Sequence, residues 1–341
     1  MTSKLEFSII LPQCHNVSFL RSALKSLRQI NFPSDFFEVL VAGGDDDDGT
    51  REIVENELKR VEYDLKYIGS NSSKRSRRLN TACAIARGSV LVFSDDDCTF
   101  LPDWLQKIKE VIKREMNIGI IGGKDELEHN VSDFDIALDF VLNSFLGTGG
   151  LRQGANLSVG KYYPKLWNMA IPRDVASSVA LETREGFPQV FNEALIVHED
   201  VDLAKRIEKS GKRIVFSPEI RVKHYRDTTF YSTVRRNFNM AHTCRLLGVH
   251  RFPHMILSIF VLSALVLTIS SIFFQPLRIV FLICVGSYMV LLFVSAVSRL
   301  KQTRRLRVLL IIPVLTLSLH VSRGLGFLFP WKRSGRMEIG L

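Results

Sequence analysis

Carboxylates dominate the residues of this chain that could do chemistry. Ser94-Asp95-Asp96-Asp97 follows directly on Val90-Leu91-Val92-Phe93, a short β-branched and aromatic run that reads as a buried parallel strand. Side chains alternate along an extended segment, so Asp95 and Asp97 point one way and Asp96 the other. Open α/β sheets bind ligands outside the carboxyl ends of their strands. Two like-facing carboxylates placed there are costly without a cation, and a hard divalent ion with oxygen ligands, Mg²⁺ or Mn²⁺, is the natural partner. The bland alternative, a solvated acidic turn, is weakened by the strand that runs into it.

Three other clusters have chemical potential. His198-Glu199-Asp200-Val201-Asp202 lies at a helix start, where a carboxylate stays ionised and suits a proton acceptor. Asp202 there reads as a partner of the helix dipole only. Lys74, Arg75, Arg77 and Arg78 precede a helix whose positive end adds to their field, a grip for a diphosphate. Gly43-Gly44-Asp45-Asp46-Asp47-Asp48 joins a turn that lets backbone approach a ligand to carboxylates that accept from a ribose or a base. His224, after a strand-like segment, is a candidate metal or phosphate ligand, although a lone histidine is more often structural.

The elements that must position these groups alternate. FSIIL at 7–11 is closed by Pro12 and reads as a first strand, Phe19–Ile30 has helical spacing, and FEVLVA at 37–42 is a second strand. A helix around Ile53–Leu58, a weaker strand at Leu65–Ile68 and a helix over about 75–88 lead into the central strand. Trp104–Lys113 is helical, Ile118–Ile121 a strand, and positions 124–166 have few clear periods, which predicts acceptor-facing loops or an interfacial helix. WNMAIPRDVASSV at 167–179 gives a strand, a turn and a helix; a helix from about Glu199 ends at Gly211 before a strand at Ile214–Phe216. This alternation predicts an α/β protein with a doubly wound, mostly parallel, Rossmann-like sheet.

The 341 residues carry a formal net charge of +10, with much of the excess beside apolar segments in the carboxyl-terminal half. That pattern favours anionic lipid headgroups. No zinc spacing or aromatic–basic interleaving favours nucleic acid, so none is expected as a partner. The five cysteines are scattered without a CxxC, which argues against a disulfide framework and for a reducing compartment. MTSKLEF leads straight into a strand, so no leader is expected, and the N-x-S sequons at Asn16, Asn71, Asn130 and Asn156 carry no weight in a cytosolic domain.

Thr228–Leu247 is amphipathic, with Tyr231, Val234, Phe238 and Ala241 on one side and Arg235, Arg236 and Arg245 among the polar positions. Apolar runs follow at Met255–Phe274, Leu277–Ser298 and Val308–Phe329, each near the roughly 20 residues needed to span a bilayer. Pro313, His320, Arg323 and paired glycines interrupt the third, which predicts a kinked or re-entrant segment. The expected division is a catalytic domain over 1–226, an interfacial segment over 227–252, a membrane region of two to three spans over 253–330, and a tail over 331–341.

In series, FSIILPQCHN, FEVLVAGGDDDDGT, KRSRRLNTACAIARG, VLVFSDDD, NMAIPRDV and the stretch from Gly186 to Tyr225 resemble the family-2 inverting glycosyltransferases with the GT-A fold. The ending LHVSRGLGFLFPWK is similar to membrane-anchored members. By that resemblance Asp95 and Asp97 are the metal-binding DxD pair and Asp200 of the Glu199-Asp200 motif is the catalytic base; His224, from its own place after a strand, is added as a candidate metal ligand. Pro12, with Asp45 and Asp46 of the acidic loop, would hold the nucleoside, and Lys74 and Arg78 would line the donor site. Asp96 is grouped with these binding residues, as are Arg235 and Arg236, beside which a membrane-borne acceptor would be presented. The family usually has acidic residues where Gly43 and Gly44 stand. Processive members carry Q/R-x-x-R-W, for which Arg235-Arg236-Asn237-Phe238 is the nearest match, so transfer of single sugars is favoured.

The resemblance implies an integral-membrane enzyme with a cytosolic catalytic domain. It would move a sugar, with inversion, from a nucleotide-sugar donor to a hydroxyl of a lipid-linked or glycan acceptor, with a divalent metal. Two alternatives are a polyprenyl-phosphate sugar synthase, whose anionic acceptor needs no base, and an inactive membrane-tethered nucleotide-sugar- or glycan-binding protein.

Overall fold

The computed structural model describes residues 5–12, 17–44, 49–70, 72, 74–128, 132–149, 162–184, 186–195, 197–225, 228–248, 251–303 and 305–329. They form two compact units, the first from residues 1–128 and 163–225 and the second from 129–162 and 226–340.

The first unit alternates as its apolar periods predict: β1 (Phe7–Pro12), α1 (Val17–Leu27), β2 (Phe37–Gly43), α2 (Thr50–Leu58), β3 (Asp64–Gly69), α3 (Arg75–Ile85) and β4 (Val90–Phe93). Every residue of β1, β2 and β4 is buried, because helices cover both faces of the sheet. Successive residues serve two cores. Ile9, Leu11, Val39, Val41 and Val92 enter one, and Ile10, Leu40, Ala42, Leu91 and Phe93 the other. The strands β1–β4 are all parallel, in the order β3-β2-β1-β4.

The rest of the sheet mixes directions. β5 (Cys98–Phe100) precedes α4 (Trp104–Arg114) and β6 (Ile118–Leu127); later come β7 (Met169–Pro172) and β10 (Arg213–His224). The eight-stranded order is β3-β2-β1-β4-β7-β6-β10-β5, with β7 antiparallel to both β4 and β6, β10 parallel to β6, and β5 antiparallel to β10. Thus the sheet is mostly parallel, with β7 and β5 as its exceptions. Between β7 and β10 lie α7 (Arg173–Ser178), a two-stranded hairpin of β8 (Thr183–Arg184) and β9 (Phe187–Pro188), and α8 (Glu199–Lys209). The register of β10 on β6 breaks between Ser217 and Arg221, and the freed carbonyl of Ile220 accepts from Asn168 Nδ2 at 3.0 Å.

The second unit is helical. Its members are α5 (Asp133–Asn143), α6 (Phe145–Thr148), α9 (Phe230–Leu247), α10 (Arg251–Phe273), α11 (Gln275–Thr303) and α12 (Leu306–Leu328). Helices α10, α11 and α12 are long and apolar enough to cross a membrane, with mean hydropathies of 2.5, 2.5 and 1.8. α10 and α11 expose apolar side chains such as Leu265, Ile272, Ile283 and Val290. α12 runs unbroken through Pro313 rather than turning back, and half of its apolar window is buried by neighbouring helices. Its interrupting polar residues face those neighbours. His320 Nε2 lies 2.7 Å from the Leu146 carbonyl, which can only accept, so Nε2 carries hydrogen and Nδ1 accepts from the Tyr288 hydroxyl at 2.7 Å. Arg323 donates to the Gly147 carbonyl and, at 2.8 Å, to Asn237 Oδ1.

The same packing revises the face expected of α9. Its buried positions include Thr233, Asn237, Ala241 and Cys244, whereas Tyr231 is 71% exposed. Polar and small residues turn inward because Asn237 meets Arg323 and because Gly326 lets α12 rest on the backbone of Phe238.

Candidate active site

The carboxyl end of β4 delivers Asp95, Asp96 and Asp97 at the strand-end edge of the first unit's sheet. Ser94 fixes this corner by donating to the Trp167 carbonyl at 2.7 Å. Asp95 and Asp96 are buried, and Asp97 is partly exposed. The antiparallel pairing of β5 with β10 sets Cys98 opposite His224, and the backbone N–H of Tyr225 donates to the Asp97 carbonyl at 2.8 Å. That register brings His224 Nε2 to 3.1 Å from Asp97 Oδ2, with the Trp167 ring 5.1 Å from the imidazole.

Donor atoms of Asp97, Cys98 and His224 all lie within 4.8 Å of one another. Burial pushes the Cys98 thiol well above its usual range, and Asp97 and Asp95 push it further. Of the three donors, the Asp97 carboxylate and the His224 imidazole are the pair suited to a hard ion such as Mn²⁺ or Mg²⁺. Beside them a cleft of ≈ 250 Å³ is lined by Ser18, Phe19, Asp97, Glu128 and Tyr225. Asp95 is engaged differently. Arg75, in the first turn of α3, donates to Asp95 Oδ1 and also reaches Glu199 Oε1 at 3.6 Å. One guanidinium therefore ties the acidic strand end to the start of α8.

At that start His198 adopts a left-handed conformation, φ 67°, so the chain turns sharply into the Glu199-Asp200 pair. Environment pushes the two carboxyls apart. Burial raises Glu199, against the pull of Arg75. Burial also acts to raise Asp200, but Lys165, then His198 and the Val201 N–H, outweigh it and hold that carboxyl below the usual aspartate range. Asp200 Oδ1 accepts from Val201 N at 2.7 Å, and Lys165 Nζ is 3.3 Å from Oδ2. Separation of this kind is how neighbouring carboxyls acquire different roles, the ionised one being the proton acceptor. Asp202 accepts from Arg206 Nε at 3.0 Å, and that arginine also clamps the carbonyls of Val179 and Val190, a structural job.

The remaining sequence-derived positions fall as follows. Pro12 ends β1, opposite Ala42. Asp45 and Asp46 lie outside the described residues. Lys74 Nζ donates to the Glu193 carbonyl at 3.1 Å, and Arg78 is buried on α3. Arg235 and Arg236 are exposed on α9 of the second unit. Gly43 faces Tyr67 of its own domain, whose hydroxyl donates to the Gly44 carbonyl at 2.8 Å, so this glycine makes room for a ring. Sequence reasoning placed Arg75 in a basic loop without its carboxylate partners and missed Lys165, which no period or motif marks.

Residues 8–154 match the family described as glycosyl transferase family 2. Glycosyltransferase AglE of Haloferax volcanii is 24% identical over 230 residues, 64% of this chain and 67% of the relative. Succinoglycan biosynthesis protein ExoM of Rhizobium meliloti is 29% identical over 104 residues, 30% of this chain and 34% of that protein. Among solved structures, mannosyltransferase PcManGT from Pyrobaculum calidifontis, determined with GDP-Man and Mn²⁺, aligns with a TM-score of 0.65 at 15% identity, over 94% of this chain and 88% of that one. The structural likeness shows the fold, a GT-A-type sheet followed by long apolar helices. The family match, running from β1 to beyond α6, gives this chain a glycosyl transferase family 2 domain over residues 8–154.

Proposed function

We propose that the enzyme transfers a sugar from a nucleotide-sugar donor to a hydroxyl of a lipid-linked or glycan acceptor, with inversion, at a membrane surface. The observation that carries this reading is Arg75, which joins Asp95 to Glu199 and so gathers the strand-end carboxylates and the Glu-Asp pair into one site. The GDP-Man and Mn²⁺ of the PcManGT structure support the donor class and the metal.

Asp97 and His224 are the residues that would hold a divalent ion. When bound, that ion neutralises charge on the departing nucleoside diphosphate. Asp200, already ionised, takes the proton of the acceptor hydroxyl as its oxygen attacks the anomeric carbon from the face opposite the leaving group. Arg75 keeps Asp95 and Glu199 in place around that event. The three apolar helices support an acceptor presented at a bilayer, and a cytosolic catalytic unit would meet nucleotide sugars where they are made.

The test is a panel of nucleotide sugars assayed with membranes and Mn²⁺ or Mg²⁺, followed by mass analysis of the lipid fraction. Asp200→Asn keeps size and hydrogen bonding but cannot take a proton, and turnover should fall by roughly 10²–10⁴-fold. An unchanged rate would remove Asp200 from the role of base.

A further inference from the structure

We propose that Lys165 is a positioning residue for the transfer, fixing the Asp200 carboxylate in the orientation and charge state from which it accepts the proton. This rests on the reading of Asp200 as the base. The geometry has three parts. Asp200 is buried and holds its two oxygens on different donors, Oδ1 on the Val201 N–H at 2.7 Å and Oδ2 on Lys165 Nζ at 3.3 Å. Rotation of the carboxylate would break both contacts.

The lysine itself stands on a fixed base. Its carbonyl accepts from Asn168 N at 3.0 Å across a 3-10 turn, Leu166–Asn168. Asn168 is in turn held by Trp104 Nε1, which donates to its Oδ1 at 3.1 Å, and donates through Nδ2 to the carbonyls of Lys124 and Ile220. The backbone that carries the lysine is therefore held, through Asn168, by α4, β6 and β10 together. A surface lysine would lose rotamer freedom for little gain; this one is only 22% exposed and faces a carboxylate at 10%.

Among the described residues, the charged groups that face Asp200 are Lys165 from this turn and His198 and Glu199 from its own segment, with Arg75 of α3 reaching Glu199. The sign follows. Burial favours a protonated Asp200, and removal of the Lys165 charge leaves burial less opposed, so the carboxyl should titrate at higher pH.

Full-length protein in detergent is compared as wild type, Lys165→Met, Lys165→Gln and Lys165→Arg. Carbodiimide modifies protonated carboxyls, and its reaction at Asp200 is followed against pH by fragment mass spectrometry, which needs no substrate. The midpoint should rise by about one pH unit or more in Lys165→Met and Lys165→Gln, and return in Lys165→Arg. The acid limb of transfer from GDP-mannose or UDP-N-acetylglucosamine should move the same way. A midpoint that stays put in both neutral variants, or an activity loss equal at every pH, would overturn the proposal. The base reading is judged separately by Asp200→Asn. If that variant transfers normally the base lies elsewhere, whatever Lys165 does to the titration.

Discussion

His224 Nε2 lies 3.1 Å from Asp97 Oδ2 although 127 residues separate the two. The antiparallel β5–β10 pairing makes the contact, since His224 stands opposite Cys98, the residue after Asp97. A carboxylate and an imidazole this close in the absence of a cation form an ion pair only when the histidine is protonated; around a metal the same two atoms are ligands. His224→Ala should therefore raise the Mn²⁺ concentration for half-maximal transfer by at least about tenfold, the size of effect that even indirect partners of a metal produce. Mn²⁺ binding followed by electron paramagnetic resonance should weaken in parallel. Full activity in excess chelator would remove metal from the reaction.

Arg75 supports a second prediction. It holds two carboxylates, and its loss leaves both buried without the shared cation. Arg75→Ala should lower kcat/KM by about 10–100-fold, the equivalent of one charged hydrogen bond worth about 1.5–3 kcal/mol. Arg75→Lys should recover only part, because an ammonium cannot reach both groups as a planar fork does. Equal activity of Arg75→Ala and wild type would separate the acidic strand end from the Glu-Asp pair.

Much of this site is legible in the chain because strand ends announce themselves. VLVF running into SDDD marks the ligand end of β4, and the Glu-Asp pair before an amphipathic run marks a helix start. Pairings across the sheet are not legible. β5 has three residues, too few for a period, and the reversal of β7 depends on tertiary packing, so the Lys165 partner of Asp200 could not be read, and the pairing that brings the candidate ligand His224 to Asp97 could not be read either. Lys165 belongs to the same class: its role comes from a turn anchored by Asn168, not from any local pattern. Residues 124–166 hid α5 and α6 for a related reason, since their buried residues face other helices of the second unit.

Asn168 gives a test of the scaffold apart from the chemistry. At 2% exposure it satisfies the Trp104 indole and two carbonyls. Asn168→Ala strands all three and should cost about 2–4 kcal/mol, read as a lower unfolding midpoint in detergent. Turnover should fall as well, since Lys165 and Trp167 share its turn.

Arg323 plays the corresponding part in the second unit. It is buried, and its contacts are to the neutral oxygens of Gly147 and Asn237. Arg323→Met should destabilise the protein in detergent by about 1–3 kcal/mol through the acceptors it leaves unmet. Asn237→Ala added to that variant should cost less than it does alone, because the two side chains act as one unit. Full additivity would mean that the pair is not coupled.

The last prediction concerns orientation. Arg299, Lys301, Arg304, Arg305 and Arg307 cluster around the junction of α11 and α12, whereas α10 and α11 are separated by Phe274 alone. By the positive-inside rule the basic junction should be cytosolic. Two crossings, α10 and α11, would then return the chain to the side of the first unit, which should be cytosolic too. α12 is continuous from Leu306 to Leu328, so a third crossing should leave its carboxyl end outside, against the weaker pull of the Lys332, Arg333 and Arg336 charges further along the sequence. Met116 is 83% exposed in the catalytic unit and offers a probe. Met116→Cys should react with an impermeant maleimide only after cells are opened, above the background of the native cysteines, while a tag placed after Leu341 should be cleaved by protease added to intact cells. A protected tag would mean that α12 does not cross. Labelling of Met116→Cys from outside would place the catalytic unit away from the cytosolic donor pool and end the proposed account of its function.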